Sequence, residues 1–266
     1  MAKAKKVIKK KVTKKRSVKK TPKKHPSKVS KKAHSKKDVE RVPTGVKGFD
    51  KLIEGGFEKD STNLVVGASG SGKSIFGFEF LLEGIRRGES CLYVTFEENK
   101  ESFYDNLAEI GYDLYDLEKK GKFHFLEYTP QKVKTMLEEG GGAIETIVLS
   151  KKIERIVLDS ATSLMLLFDS ELEKKEAALS LFNLLKDWKC TSIIIYEESP
   201  TLGKDSSRML DLEADAIILL YLTRGKKRQR ERFVEVVKMR GTDHSLKIHP
   251  FAIKKGGIFI SSRIKK

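Results

Sequence analysis

One eight-residue run constrains this chain more than any other feature: Gly67-Ala68-Ser69-Gly70-Ser71-Gly72-Lys73-Ser74. It fits the pattern G-x-x-x-x-G-K-[ST]. Glycines at these places let backbone N–H groups curl around an anion with no Cβ in the way. The lysine reaches the β- and γ-phosphates of a nucleotide, and the Ser74 hydroxyl suits Mg²⁺. A helix starting near Lys73 points its positive end at the same anion. The surroundings agree with this reading. Thr62–Val66 is an apolar, strand-like run, while Ile75, Phe78, Leu82 and Ile85 recur at helical spacing until Gly88 ends the helix. Gly67 to Ser74 are therefore the candidate nucleotide-binding residues, and Lys73 is also a candidate catalytic cation.

The rest of the body repeats that alternation. Cys91–Phe96, Lys122–Tyr128, Arg155–Leu158, Ser192–Tyr196 and Ala214–Leu222 read as further strands, several of them apolar on both faces. Such strands belong to a parallel sheet covered on both sides. Leu172 to Trp188 is an amphipathic helical run, with Leu181, Leu184, Leu185 and Trp188 on its apolar side. Alternating β and α predicts a doubly wound α/β fold with a mostly parallel sheet. The last part differs. Phe233–Arg240, Ser245–Ile253 and Ile258–Ser261 follow one another with short turns at Gly241 and Gly256–Gly257, which predicts an antiparallel β extension.

Charge divides the chain sharply. Residues 1–38 hold 17 lysines and one arginine against one aspartate, whereas residues 39–266 hold 36 bases and 36 acids. The tail therefore carries the whole excess of +17. With few aliphatic residues it cannot bury enough apolar surface to offset its ordering entropy, so 1–38 reads as a disordered Lys-rich tail and 39–266 as the domain. The longest apolar runs, near 214–222 and 192–196, are far short of the ~20 residues of a membrane span. No signal-peptide pattern follows the start. Cys91 and Cys190 each open a strand-like run and read as buried, reduced thiols, which implies a reducing, cytoplasmic setting.

Three further clusters bear on chemistry. Arg155-Ile-Val-Leu-Asp159 is an apolar strand ending in a carboxylate, which suits a Mg²⁺ site reached through water. Cys91-Leu-Tyr-Val-Thr-Phe-Glu97-Glu98 ends in two carboxylates. These either orient or deprotonate an attacking water or form a solvated acidic strand end. Lys238-Met-Arg240 lies on a strand-like segment, where period 2 puts both cations on one face. They either reach a phosphate tail or form a solvated basic edge.

From about Arg41 to Ile260 the chain resembles the KaiC-like ATPases of the RecA/RadA superfamily. The features that carry the resemblance stand in family order. They are Thr44-Gly-Val-Lys-Gly-Phe-Asp50, Gly55-Gly56, the phosphate loop, Val94-Thr-Phe-Glu-Glu98, the Asp159 strand and Lys238-Met-Arg-Gly-Thr-Asp-His244. The resemblance implies a RecA-like P-loop fold that binds ATP and Mg²⁺. It implies that Glu97 and Glu98 are the catalytic carboxylates. It also implies that Lys238 and Arg240, with His244 nearby, reach the ATP of a neighbouring subunit in a homo-oligomeric ring, often a hexamer. Glu197 falls where relatives carry a polar sensor. Departures from the family are also visible. The clock protein has two such domains in tandem, and its phosphorylated Ser/Thr pair lies in a C-terminal extension that Ser261-Ser262 do not replace. The helix-hairpin-helix DNA module of RadA recombinases is not recognisable.

The expected activity is therefore ATP hydrolysis by a regulatory or signalling oligomer. The competing readings are a DNA-dependent ATPase of recombination or repair, a non-hydrolysing ATP-gated scaffold and a Ser/Thr autokinase. The basic tail attracts polyanions, with nucleic acid the first candidate through residues 1–38. It has no aromatic residue for stacking, so such binding would be electrostatic. Ser199–Arg208 reads as a polar loop, and Gly225–Arg232 as a basic hairpin tip or a phosphate-contacting patch.

Overall fold

The computed structural model describes residues 39–140, 142–203, 213–225 and 229–261. The tail expected over 1–38 lies outside the described residues, as do 204–208 of the polar loop and 226–228 of the basic run. A short antiparallel ribbon of β1 (Arg41–Val42) and β2 (Phe57–Glu58) leads into β3 (Thr62–Gly67) and α1 (Lys73–Arg86). Then come β4 (Cys91–Thr95), α2 (Lys100–Glu109), α3 (Leu114–Lys119), β5 (Phe123–Glu127), α4 (Pro130–Glu139) and α5 (Ala143–Lys151). They are followed by β6 (Arg155–Asp159), α6 (Ala161–Met165), α7 (Glu171–Asp187), β7 (Thr191–Glu197), β8 (Ala216–Arg224), β9 (Arg230–Met239), β10 (His249–Lys254) and β11 (Gly257–Ile260).

Among the described residues these strands form one large sheet in the order β11-β10-β9-β8-β3-β7-β6-β4-β5. From β8 to β5 every neighbouring pair is parallel, and β8-β9, β9-β10 and β10-β11 are antiparallel. The doubly wound sheet with its antiparallel extension is thus present. Period 2 sends alternate side chains of each parallel strand into separate cores. Val65, Tyr93 and Val157 join Phe76, Phe78 and Phe80 of α1 and Phe103 of α2 on one face. Leu64, Val66, Leu92 and Leu158 join Val133 of α4, Ile144 of α5 and Leu181 and Leu185 of α7 on the other. Each such fully buried side chain contributes about 1.5–3 kcal/mol.

Local chemistry sets the element ends. Helix α7 starts at a capping box in which Ser170 and Glu173 satisfy each other's backbone N–H. Strand β8 starts at Ala216 rather than Ala214, because the Asp215 carboxylate accepts from the Thr62 N–H at 2.9 Å. Residues 245–248, expected to be strand, lie outside β10: Ser245 Oγ is 2.7 Å from His249 Nε2 and accepts from the Lys247 N–H, a local turn that competes with the ladder. In α1, Gly84 leaves room for Arg155, whose Cδ would lie 2.7 Å from a Cβ there. Cys91 and Cys190 are free and buried. No helix among the described residues is long and apolar enough to cross a membrane.

Candidate functional site

Strand β3 delivers Gly67 to the C-terminal edge of the sheet, in register with Glu197 of β7 and Leu220 of β8. Beyond it the chain turns through Gly70 at φ +75° and Gly72 at φ +107°, left-handed conformations that L side chains rarely adopt. A Cβ on Gly72 would also press to 2.9 Å from Ile253. Lys73 then opens α1, whose first N–H groups have no intrahelical acceptor and face the loop. Lys73 is only 7 % exposed, and its Nζ donates to Ala68 O at 3.0 Å and lies 3.5 Å from Glu197 Oε2.

Next to this loop, Asp159 ends β6. Its Oδ2 accepts from Ser74 Oγ and from the Tyr93 hydroxyl, each at 2.6 Å. The register explains the meeting: Thr95 of β4 is opposite Asp159 and Tyr93 is opposite Val157, so Tyr93 is the diagonal neighbour of Asp159 on the same face. Burial pushes the Asp159 carboxyl above its ordinary value, opposed by the Ser74 and Tyr93 hydrogen bonds and the Lys73 charge. Burial, then the Asp159 charge, pushes the Tyr93 phenol far above its own, so it remains a donor.

The adjacent carboxylates Glu97 and Glu98 part company. Glu97 Oε1 accepts from Ser160 Oγ at 2.9 Å, just beyond the cis Asp159–Ser160 peptide. Glu98 Oε1 instead accepts from Asn106 Nδ2 at 2.8 Å and Ser102 Oγ at 3.3 Å, both on α2. Lys73, Ser74, Glu97, Glu98, Asp159 and Glu197 nonetheless line one cavity of about 590 Å³. That size is ordinary for a small-molecule site. Its donor set fits the expected ligands: a glycine cradle and an ammonium suit phosphates, and the Ser74 hydroxyl with the Asp159 carboxylate offers the hard oxygens that Mg²⁺ takes.

Arg232 and Ile253 wall the same cavity; Arg232 ends the basic run for which a phosphate-contacting patch is one of two readings, whereas Ile253 carries no such signal in the sequence. Arg232 Nη2 donates to Gly70 O at 3.1 Å. The sequence leaves both readings of that run open; register decides for Arg232, which pairs with Leu222 of β8, the strand beside β3. Tyr93 was likewise read only as part of an apolar strand.

Lys238, Arg240 and His244 are elsewhere. Lys238 is paired with Ile217 and Met239 with Ala216, at the end of β8 where β3 begins. That end is roughly 13 Å along the strand from Gly67. Strand β9 stops at Met239 after a bulge between Ile217 and Ile218, so strand alternation does not extend to Arg240. Arg240 Nη1 instead lies 3.4 Å from Asp215 Oδ1, and its N–H donates to Asp215 O. His244 Nδ1 is 3.3 Å from Ser245 O, and the Ser245 N–H donates to Leu52 O. None of the three lines the cavity of its own chain.

The sequence model of the family described as "ATPase: KaiC" matches residues 42–265. The chain belongs to the KaiC family of ATPases. Its body is thus a single KaiC domain of RecA-like fold, from a family of ATP-binding ATPases. The circadian clock protein KaiC3 of Synechocystis is 32% identical over 232 residues, which cover 84% of this chain and 46% of the relative. The chain therefore spans about half the length of that clock protein. A UPF0273 protein of Pyrococcus furiosus is 31% identical over 84% of this chain and 94% of its own length. A crystal structure of a KaiC-like protein from Pyrococcus horikoshii superposes with a TM-score of 0.73 at 33% identity, covering 84% of this chain and 99% of that one.

Proposed function

We propose that this KaiC domain is a Mg²⁺-dependent ATP hydrolase that works as a regulatory homo-oligomer, its site completed by a neighbouring copy. The observation that carries this reading is the convergence of Lys73, Ser74, Asp159 and Glu97 on one cavity. The reaction is ATP + H₂O → ADP + phosphate. Phosphoryl transfer asks mainly for positioning and charge neutralisation. The amides of Gly67 to Ser74 and the Lys73 ammonium bind the phosphates, with Glu197 giving up Lys73 as they enter. Ser74 and Asp159 would hold Mg²⁺, which would supply positive charge against the phosphate oxygens. Glu97, held by Ser160, orients the attacking water and takes its proton, while Glu98 ties the same turn to α2. Arg232 and Ile253 confine the rest of the nucleotide.

The position of Lys238, Arg240 and His244 at the opposite edge supports their service in trans. They are too far from their own loop, yet a head-to-tail ring, hexameric in this reading, would bring that edge to a neighbour's phosphates. The proposed division is a Lys-rich tail over 1–38, which attracts nucleic acid non-specifically, and an ATPase domain over 39–266, working in the cytoplasm.

The test is ATP turnover by the wild type and a Glu97→Gln/Glu98→Gln variant, over a range of protein concentrations and with or without single-stranded DNA. We expect turnover that is lost in the variant, indifferent to DNA, and higher per subunit as the protein assembles. A specific rate independent of concentration in a protein that stays monomeric removes the in-trans site. Strong stimulation by DNA turns the reading to a repair ATPase.

A further inference from the structure

Tyr93 sits where a phenylalanine would serve the core equally well. It is 1 % exposed, its ring centroid is 4.4 Å from that of Phe103, and it stacks on Phe125 at 5.8 Å. An apolar setting of this kind has no use for a hydroxyl, and burying one is unfavourable unless it is hydrogen-bonded. The hydroxyl is bonded at 2.6 Å to Asp159 Oδ2, the same oxygen that Ser74 Oγ reaches. The two donors come from different elements. Ser74 is on α1 and half-buried, at the mouth of the cavity, whereas Tyr93 is locked in β4 between two rings.

We propose that Tyr93 is a positioning residue for the metal: its hydroxyl fixes the Asp159 carboxylate so that Asp159 and Ser74 present a preformed Mg²⁺ site. This rests on the reading that Ser74 and Asp159 bind Mg²⁺. A serine that turns its oxygen toward a metal relaxes its own hold on the carboxylate. A second donor that cannot move keeps the carboxylate aimed while Ser74 adjusts. Groups that orient a metal ligand in this way matter almost as much as the ligand, and their loss typically weakens metal binding by roughly ten- to a hundredfold.

The test is Tyr93→Phe in the full chain, which deletes one oxygen and keeps the ring. Binding of a fluorescent ADP analogue is followed at equilibrium, in EDTA and across a Mg²⁺ titration, and Mn²⁺ binding is read by electron paramagnetic resonance. We expect binding in EDTA to match the wild type, and the Mg²⁺ midpoint and Mn²⁺ affinity to weaken by about ten- to a hundredfold. Phe103→Leu loosens the same ring packing and leaves the hydroxyl; it should lower the melting temperature and keep the Mg²⁺ midpoint. An unchanged Mg²⁺ midpoint in Tyr93→Phe, or an equal shift in Phe103→Leu, overturns the proposal and leaves the metal site standing. Wild-type nucleotide binding that ignores Mg²⁺ overturns the metal site and this proposal together.

Discussion

Strand β6 carries an ionisable side chain at each end, Arg155 buried and Asp159 half-buried, and the two ends are used differently. At its start Arg155 is fully buried. Its guanidinium donates to both Glu89 carboxylate oxygens, to Pro43 O at 2.6 Å and to Phe80 O at 2.9 Å, and it lies over the Phe80 ring. At the other end, roughly 13 Å away along the strand, Asp159 has both its side-chain donors on one oxygen and opens onto a cavity. Arg155 is the more buried of the two, yet it binds parts of the fold to each other. Burial of a charge therefore does not mark a site by itself. What marks one is a buried charge that faces space and has bonding capacity left over.

The comparison would break first at the cavity end. Glu97→Gln keeps the shape and removes the base, so turnover should fall by roughly 10²–10⁴, with a melting temperature near the wild type's. Glu98→Gln should cost less than about tenfold, since its partners Ser102 and Asn106 lie along α2 rather than at the Asp159 turn. Steady-state ATP hydrolysis on the two single variants separates them, and equal losses would remove the distinction drawn from their hydrogen bonds.

The other end of β6 should show the reverse. Arg155→Ala strands Glu89 and leaves two carbonyls without their donor. Breaking a buried pair typically costs 3–5 kcal/mol, and the partial exposure of Glu89 puts this case near about 3 kcal/mol. Chemical unfolding measures it. The fraction that remains folded should bind nucleotide normally; a variant that is stable but cannot bind would place Arg155 in the site.

The same contrast explains how much was legible in advance. The phosphate loop, the Asp159 strand and the Glu97–Glu98 end were readable because each is a contiguous run whose chemistry matches its spacing. The mostly parallel sheet and its antiparallel extension are legible from period 2 and the alternation with helices, but the strand order is not, because neither pattern says which strands become neighbours. Ile253 and Tyr93 carry no local signal, since each enters the site through strand register rather than local sequence, and register also decides between the two readings of the run that ends at Arg232. Glu97 and Glu98 were equivalent as letters; only the directions of their side chains separate them. The end of β9 before Arg240 was not foreseen either, because it depends on a bulge and on Asp215, 25 positions away.

A third ionisable group, the buried carboxylate of Glu79, sharpens the rule. Glu79, midway along α1, accepts from the Ile258 N–H at 2.9 Å and from the Tyr112 hydroxyl at 3.2 Å on one oxygen, while the other oxygen is buried without a partner. Burial raises it to about 7, against the hydrogen bonds and the nearby Lys47 and Arg86 charges. Its folded value is above the ordinary 4.5, so the native state holds its proton more tightly than the unfolded chain does. The stability it contributes is full below about pH 4.5 and is lost as pH rises through about 7. At about 1.4 kcal/mol per unit the loss is on the order of 3 kcal/mol. Denaturant unfolding at pH 5 and pH 8.5 should show that fall in the wild type and a smaller one in Glu79→Gln. Parallel curves would mean that Glu79 is ionised throughout.

The smallest effect concerns Glu197, where the two kinds of charge meet. It is 47 % exposed, like a surface group, yet its carboxylate is 3.5 Å from the nearly buried Lys73. If it behaves as a partner that incoming phosphate displaces, Glu197→Gln removes a competitor and leaves Lys73 readier for the nucleotide. A half-exposed pair is worth about 0.2–1 kcal/mol, so ADP should bind about 1.4- to fivefold more tightly, with little change in melting temperature. A titration of ADP affinity across salt adds a second reading. The advantage of the variant should shrink as ionic strength rises, because the lost pair was partly screened already. If affinity falls instead, Glu197 contacts the bound nucleotide itself. It would then share the character of Asp159, a carboxylate with bonding capacity kept for the ligand, in spite of its exposure.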